Sequence, residues 1–360
     1  MNLIIKKVLN KLEDKGFEAY VVGGYVRDTL LGIKSTDVDI CTSALPKDII
    51  QIFNTSGNHI NYGSIALSDG KYNFDITTYR KEHNYDDRSP GKVEYVDDLL
   101  TDLKRRDFTI NTLCMDSSGN IIDLLNGKED LEKKFIKVVG DTSLKLKEDP
   151  LRMLRAIRFS VILEFDLDPE IVKVINTDKH LIKSLSYTRR MEELNKIFAS
   201  KNALVGLKIL KELNLLEQLE INYDKIVPVN DVLGFWAQIK YSENYNFTKS
   251  SREVIKSIRK IVSSGEITNE VLFNYELYIS MVAGQILGYD NKTISKMHAD
   301  LKIKSVKDLS ICSKDIFKIL DIKPSSLVKD ILKDITKNVL DGNLENNYED
   351  IKNYILKKWK

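Results

Sequence analysis

Two aspartates, Asp37 and Asp39, follow a glycine pair in the stretch AYVVGGYVRDTLLGIKSTDVDI. On an extended strand residues i and i+2 project from one face, so both carboxylates point the same way. Like charges that close repel, and one of the two holds its proton unless a cation sits between them. A divalent ion resolves the repulsion, and Mg²⁺ is typically held by one or two carboxylates plus substrate phosphates. The preceding residues offer what a phosphate needs. Residues 19–22 read as an apolar strand, Gly23 and Gly24 permit a tight turn, and residues 25–31 read as a short helix with Arg27 in its first turn. Bare backbone, a helix start and a guanidinium together favour a polyphosphate. Asp28 is expected to pair with Arg27. The glycines make neither a dinucleotide fingerprint nor a Walker A loop, because GxGxxG and GK[ST] are both missing.

Three further segments could complete such a site. In NFDITTYR, Asp75 sits on a candidate strand among apolar residues. It would be a third metal ligand or a general base for a hydroxyl nucleophile, or else a satisfied strand-end carboxylate. In LKRRDFTINTL, Arg106 is suited to a triphosphate or ribose, with Asp107 fixing its fork and Asn111 four residues beyond. In KEDPLRMLRAIRFS, Pro150 suits the first turn of a helix capped by Asp149. Arg152, Arg155 and Arg158 recur every three residues, on neighbouring helical positions. With Leu151, Leu154 and Ile157 on the other side, the three guanidiniums must face an anion or acidic partners.

The elements that position these groups follow from the hydrophobic pattern. At 360 residues the chain can bury a sizeable core and should divide into two or more domains. Charged residues at 30% and hydrophobic ones at 42%, with no low-complexity run, indicate a soluble globular protein. The net charge of +2 is too small to argue for nucleic acid, so local clusters matter more, and Lys104-Arg105-Arg106 and Arg152/Arg155/Arg158 are the ones that lie beside the candidate chemistry. Three separated cysteines and four scattered histidines make no zinc pattern and suit a reducing compartment. The N-terminal stretch reads as an amphipathic helix with Leu3, Ile4, Val8, Leu9 and Leu12 on one side. It is too short and too charged for a signal peptide or a membrane span, which points to the cytoplasm. Strands are expected at 18–22, 37–41, 63–67, 72–79, 93–96 and 136–139, with an exposed mobile loop at 81–92. Beyond Glu148 the spacing predicts helices almost throughout, with a polar break at 241–251. Ser325 and Ser326 should cap a helix that Gly342 ends.

The ordered segments GGYVRD, DVDICTSALP, RRDFTIN and EDPLRMLRAIRF resemble the class II nucleotidyltransferases of the DNA polymerase beta superfamily, and within them the bacterial tRNA nucleotidyltransferases. The likeness continues through DLLNGKEDLEKKFIKVVGD and SYTRRMEELNKIF and weakly through the helical tail. It implies an α+β fold: a nucleotidyltransferase α/β head with a mixed sheet at 1–140, then a helical neck at 141–215 and a helical body and tail at 216–360. It also implies successive transfer of CMP, CMP and AMP from CTP and ATP to a tRNA 3′ end. Asp37 and Asp39 fall on the metal-binding carboxylates. Gly24, Arg27 and Arg106 fall on nucleotide-contacting positions, and Asp149, Arg152, Arg155 and Arg158 on the nucleotide-binding helix. Asp75 matches a position usually held by Glu or Asp.

The same resemblance implies that Asp149 and Arg152 select the base. A carboxylate only accepts hydrogen bonds and a guanidinium only donates. Cytosine and adenine both present an amine beside a ring-nitrogen acceptor, whereas uracil and guanine reverse that order. The pair cannot separate CTP from ATP, and the 81–92 loop is the candidate for that change in pocket shape. The helical arm is expected to grip the tRNA acceptor stem through phosphates and shape. CC-only addition is disfavoured because KEHNYDDRSPGK is present between the DxD and RRDFT segments, while A-only addition stays open. A poly(A) polymerase would carry a glycine-basic-Phe motif where ICTSALP stands. A silent RNA-binding relative would have no need of the repelling aspartates. Thr112, where alanine is common in the family, should affect packing only.

Overall fold

The computed structural model describes residues 2–55, 63–86, 89–323 and 326–360, which separate into two compact units, Met1–Glu220 and Ile221–Lys360. The first unit contains strands β1 (Ala19–Val22), β2 (Asp37–Thr42), β3 (Ser64–Ser68), β4 (Asn73–Thr78), β5 (Arg80–Asp86), β6 (Ser89–Tyr95), β7 (Cys114–Met115) and β8 (Ile121–Ile122). Six of these form a mixed sheet ordered β3-β4-β2-β1-β7-β8. Only β2 and β4 are parallel neighbours, and their register sets Asp39 opposite Asp75 and Asp37 opposite Asn73. Alternation explains which groups are offered for chemistry. In β2, Val38 and Ile40 are buried while Asp37 and Asp39 are open; in β4, Phe74 and Ile76 are buried while Asn73 and Asp75 are open. One face of the sheet is therefore core and the other a row of carboxylates.

Two local expectations are corrected. The stretch 81–92 is no loop: β5 and β6 pair antiparallel from Arg80↔Tyr95 to Asp86↔Ser89, with residues 87 and 88 outside the described ones. Main-chain ladder bonds need no apolar side chains, so a hydrophobic pattern could not reveal this hairpin. Helix α1 (Leu3–Glu13) buries Ile5, Leu9 and Leu12, and leaves Leu3 75% exposed. Asn2 caps it by accepting from the Ile4 N–H at 2.9 Å, which places Leu3 in the open first turn.

The remaining helices of this unit carry or brace the site. They are α2 (Gly24–Leu30), α3 (Pro46–Phe53), α4 (Leu99–Lys104), α5 (Gly127–Glu132), α6 (Thr142–Glu148), α7 (Leu151–Leu163), α8 (Pro169–Asp178), α9 (Tyr187–Phe198) and α10 (Ala203–Glu212). The strand expected at 136–139 is a two-residue segment, β9 (Phe135–Ile136), parallel to β10 (Asp166–Leu167), with Val138 bridged to Phe108. Helix α7 buries nearly its whole circumference, Arg152 and Arg158 included, rather than one apolar side.

The second unit is helical apart from the small β11 (Ile221–Asn222) and β12 (Lys240–Tyr241) pair. Its core gathers Ile258, Ile261, Leu272, Ile294, Ile316, Ile331, Ile335 and Ile351. The helix Leu327–Leu340 is followed by Gly342 at φ +74°, but Ser326 makes no side-chain capping bond, and Ser325 lies outside the described residues. Among the described residues no helix is long and apolar enough to cross a membrane.

Candidate active site

The acidic row lies where two clefts meet. Asp39 and Arg106 line both: one cleft of about 570 Å³ that also includes Gly23, Gly24, Arg27, Asp149, Arg152 and Arg155, and one of about 400 Å³ that includes Ser64, Asp75 and Thr77. The Asp39 side chain is open to these clefts yet walled by protein. Partial burial pushes its carboxyl above the usual range, Arg106 and Arg27 oppose, and Asp75 and Asp37 add repulsion. Asp37 is steadied by Asn73, whose Nδ2 donates to it at 3.0 Å, and Asp75 accepts a bond from the Ser64 hydroxyl.

An all-oxygen donor set of two like-charged carboxylates on one face fits a hard divalent cation. No group of three or more His, Cys, Asp or Glu side chains placed to hold an ion occurs among the described residues. Two carboxylates alone would leave ligand positions for substrate oxygens or water to fill.

The larger cleft is strongly cationic. Seven arginines (Arg27, Arg80, Arg105, Arg106, Arg152, Arg155, Arg189) line it against four carboxylates, Asp39, Asp107, Asp149 and Glu192. Most of these guanidiniums are fixed before any anion arrives. Arg27 donates to Asp28 through Nε at 2.9 Å and Nη2 at 2.7 Å, and to Asn111 Oδ1 at 2.7 Å. Arg155 donates through Nε to Asp107 at 2.8 Å, and Asp107 also accepts from Asn111 and the Phe108 N–H. Burial alone would raise Asp107, but Arg155 and Asn111 more than offset it and hold the carboxyl below the usual range. Arg152 reaches the main-chain carbonyls of Lys145 at 3.2 Å and Arg105 at 3.4 Å. Phe159, itself 9% exposed, lies under three guanidiniums, those of Arg27, Arg155 and Arg158, at 5.1, 5.7 and 4.2 Å.

Each sequence-derived candidate can now be placed. Gly24, Arg27, Arg106, Asp149, Arg152, Arg155 and Asp39 share the larger cleft and Asp75 lines the smaller one, whereas Asp37, exposed on the same face of β2 and held by Asn73, lines neither. Arg158 is not on the wall of either; it is buried against Glu193 at 3.0 Å, the acidic partner that its helix position allowed. Asp149 accepts from the Leu151 N–H at 3.1 Å, so it does cap the helix through Pro150. The expected Arg106–Asp107 bond is absent. Arg106 is paired instead with Asp102 at 3.2 Å, while Asp107 holds Arg155. Residues 106 and 107 are adjacent and project differently, whereas Asp102 and Arg106 stand one helical turn apart.

Gly23 was a turn residue in the sequence and is a wall residue here. It sits at φ +76°, ψ −136°, a region open essentially to glycine alone, and an added Cβ would lie 3.4 Å from Asp39 Oδ2. Gly23→Ala is expected to cost about 1–3 kcal/mol of stability through backbone strain. Urea unfolding of both proteins checks this, and an unchanged midpoint would mean the turn relaxes freely.

Family models match three consecutive stretches: the Poly A polymerase head domain over residues 19–137, an RNA- and SrmB-binding region of polymerase A over 164–223, and tRNA nucleotidyltransferase domain 2 over 231–355. The CCA-adding enzyme of Ligilactobacillus salivarius is 34% identical over 359 aligned residues, spanning 90% of this chain and 89% of that protein. The chain belongs to the CCA-adding enzymes. A CCA-adding enzyme of Streptococcus pneumoniae is 33% identical over 357 residues, 90% of each chain. The crystal structure of the Bacillus stearothermophilus CCA-adding enzyme in complex with CTP is similar at a TM-score of 0.86 and 27% identity, covering 98% of this chain and 96% of that one. The chain is accordingly an RNA 3′-end nucleotidyltransferase of a family whose chemistry depends on a divalent metal.

Proposed function

We propose that this chain adds C, C and A, without a template, to the 3′ end of tRNA from CTP and ATP, with Mg²⁺ held by Asp37 and Asp39. One observation supports the reading above others: Asp39, on the acidic face of β2 and β4, opens directly onto a cleft that holds Asp149 and seven arginines, Arg152 among them. Such a cleft suits a nucleoside triphosphate, with the polyphosphate on guanidiniums and the base edge on the α7 start. Arg27 and Arg106 hold the triphosphate, and Asp149 and Arg152 meet the base. Arg155, locked by Asp107, adds field at the cleft wall, and Arg158 braces Phe159 beneath it.

In the reaction the tRNA 3′-hydroxyl attacks the α-phosphate in line. A 3′-oxygen–phosphorus bond forms, the bond to the β-phosphate bridging oxygen breaks, and pyrophosphate leaves with its charge held by the arginines. Asp75, beside Asp39 and bonded by Ser64, is placed to receive the hydroxyl proton or to steady the acidic row. When bound, Mg²⁺ acidifies the attacking hydroxyl and neutralises charge that develops on the phosphate. Residues 1–140 act as head, 141–215 as neck and 216–360 as body and tail that hold the acceptor stem. A cytoplasmic setting follows from the meeting of tRNA, CTP and ATP.

The test gives the purified protein, Mg²⁺ and each labelled nucleoside triphosphate to tRNAs ending at the discriminator base, after CC, and after CCA. Full CCA addition requires CMP on the first, AMP on the second and nothing on the third. AMP alone on the second marks an A-adding enzyme, and repeated AMP on the third a poly(A) polymerase.

A further inference from the structure

Asp102, on α4, takes no part in the reaction just described, yet it is fully buried and joins three groups that reach the site. Its Oδ1 accepts from Arg105 Nε at 2.8 Å and from the main-chain N–H of Arg80 at 3.2 Å, and its Oδ2 accepts from Arg106 Nη2 at 3.2 Å. Arg80, Arg105 and Arg106 each line both clefts. Arg80 is also the first residue of the β5–β6 hairpin, so one carboxylate binds the hairpin's root and two guanidiniums of the anion site.

Burial pushes the Asp102 carboxyl up, but Arg105 and Arg106 more than offset it and keep it below the usual range, hence ionised. A buried carboxylate tied to three donors is a rigid anchor, since losing a guanidinium removes compensating charge and losing the N–H leaves a buried acceptor short of a bond. Arg106 Nε, also buried, has no hydrogen-bond partner, so the fork is secured to Asp102 at one corner and keeps a donor unspent at another. Arg106 Nη1 would lie 3.6 Å from a Cβ added at Gly23, on the cleft wall near Asp39, where a phosphate oxygen can meet it.

We infer that Asp102 is a positioning residue for nucleotide binding: it sets the forks of Arg105 and Arg106 against the hairpin root, so that triphosphate affinity depends on a carboxylate that never touches the triphosphate. The inference rests on the reading of Arg106 as a triphosphate ligand. Asp102→Asn keeps the shape, removes the charge and turns an amide donor toward a guanidinium. It should raise KM for CTP and for ATP alike by about tenfold to a hundredfold, with kcat at saturating nucleotide and tRNA affinity close to wild type. In an Arg106→Gln background the same change should add only a small part of that rise, because the path through Arg106 is already cut. If Asp102→Asn does not fold, Arg106→Lys keeps a charge but cannot bridge Asp102 and the phosphate together, and it should show the same rise in KM. Unchanged KM in Asp102→Asn, or in Arg106→Lys where that variant stands in, overturns the inference, as does full additivity with Arg106→Gln. A wild-type protein that adds no nucleotide to any tRNA end overturns the functional reading instead, which separates the two failures.

Discussion

Replacing Asp39 by alanine is expected to lower nucleotide incorporation by roughly a thousandfold or more while leaving tRNA binding intact. Asp39 is the carboxylate that lines both clefts, next to Asp37 on its own strand and opposite Asp75 on β4, so no neighbour can take over its oxygens. The same substitution should not destabilise the fold. Partial burial, with Asp75 and Asp37 nearby, sets the Asp39 carboxyl above its ordinary range despite Arg106 and Arg27. A folded-state value above the unfolded one means that ionised Asp39 weakens folding, and the weakening grows as pH rises through the interval between the two values. At neutral pH Asp39→Ala should therefore melt no lower than wild type. Single-turnover incorporation, a tRNA mobility shift and a thermal melt on one preparation test all three statements. Incorporation that survives in the variant would contradict the metal assignment.

That combination, a group costly to the fold and proposed to hold the metal, was the most legible part of the sequence. An i, i+2 pair of aspartates with Val38 and Ile40 between and after them admits one arrangement on a half-buried strand, and β2 adopts it. The helix at Pro150 was equally readable, because Asp149 and Pro150 are local signals with local causes. What escaped was the pairing of charges across distance. Asp107 and Arg155 lie 48 positions apart and meet only after α7 has packed against α9, α10 and the β9–β10 pair, so nothing in either segment announces the other. Phe159 as a shared floor for three guanidiniums is a product of packing in the same way. Asp102 is different, for a signal existed: an acidic residue three and four positions before two arginines is the spacing of a helical ion pair. Its competitor Asp107 was nearer in sequence, and nearness in sequence is a poor guide to which side chains face one another.

These internal pairs matter for function because they remove freedom from the arginines in advance. An arginine that is disordered when free must lose rotamer entropy as it binds, about 0.5–1.5 kcal/mol for each immobilised side chain. Arg27, Arg106, Arg152 and Arg155 already have partners, so much of that ordering precedes the nucleotide. The partners also cancel part of the charge. Guanidiniums still outnumber carboxylates among the lining residues, an excess that suits an anionic ligand.

Base selection gives the second large expected effect, and the structure dictates how to test it. Asp149 both lines the cleft and caps α7 through the Leu151 N–H, so an alanine there would mix lost recognition with a lost cap worth about 1 kcal/mol. Asparagine caps helices as well as aspartate does and keeps the shape. Its amide can donate to the uracil O4 that the carboxylate repels, while Arg152 still opposes the uracil N3–H. Asp149→Asn should therefore lower the preference for CTP over UTP by about tenfold or more, one mismatch's worth. Arg152→Ala should remove the other mismatch, and the two changes together should compound to about a hundredfold. Arg152→Ala also frees the carbonyls of Lys145 and Arg105, so its kcat/KM for CTP will fall further than that of Asp149→Asn. The decisive quantity is the ratio of kcat/KM for CTP to that for UTP on a tRNA ending at the discriminator base, since a ratio cancels losses common to both substrates. A ratio that stays at the wild-type value in both variants would remove Asp149 and Arg152 from base selection and leave them as braces of the helix start.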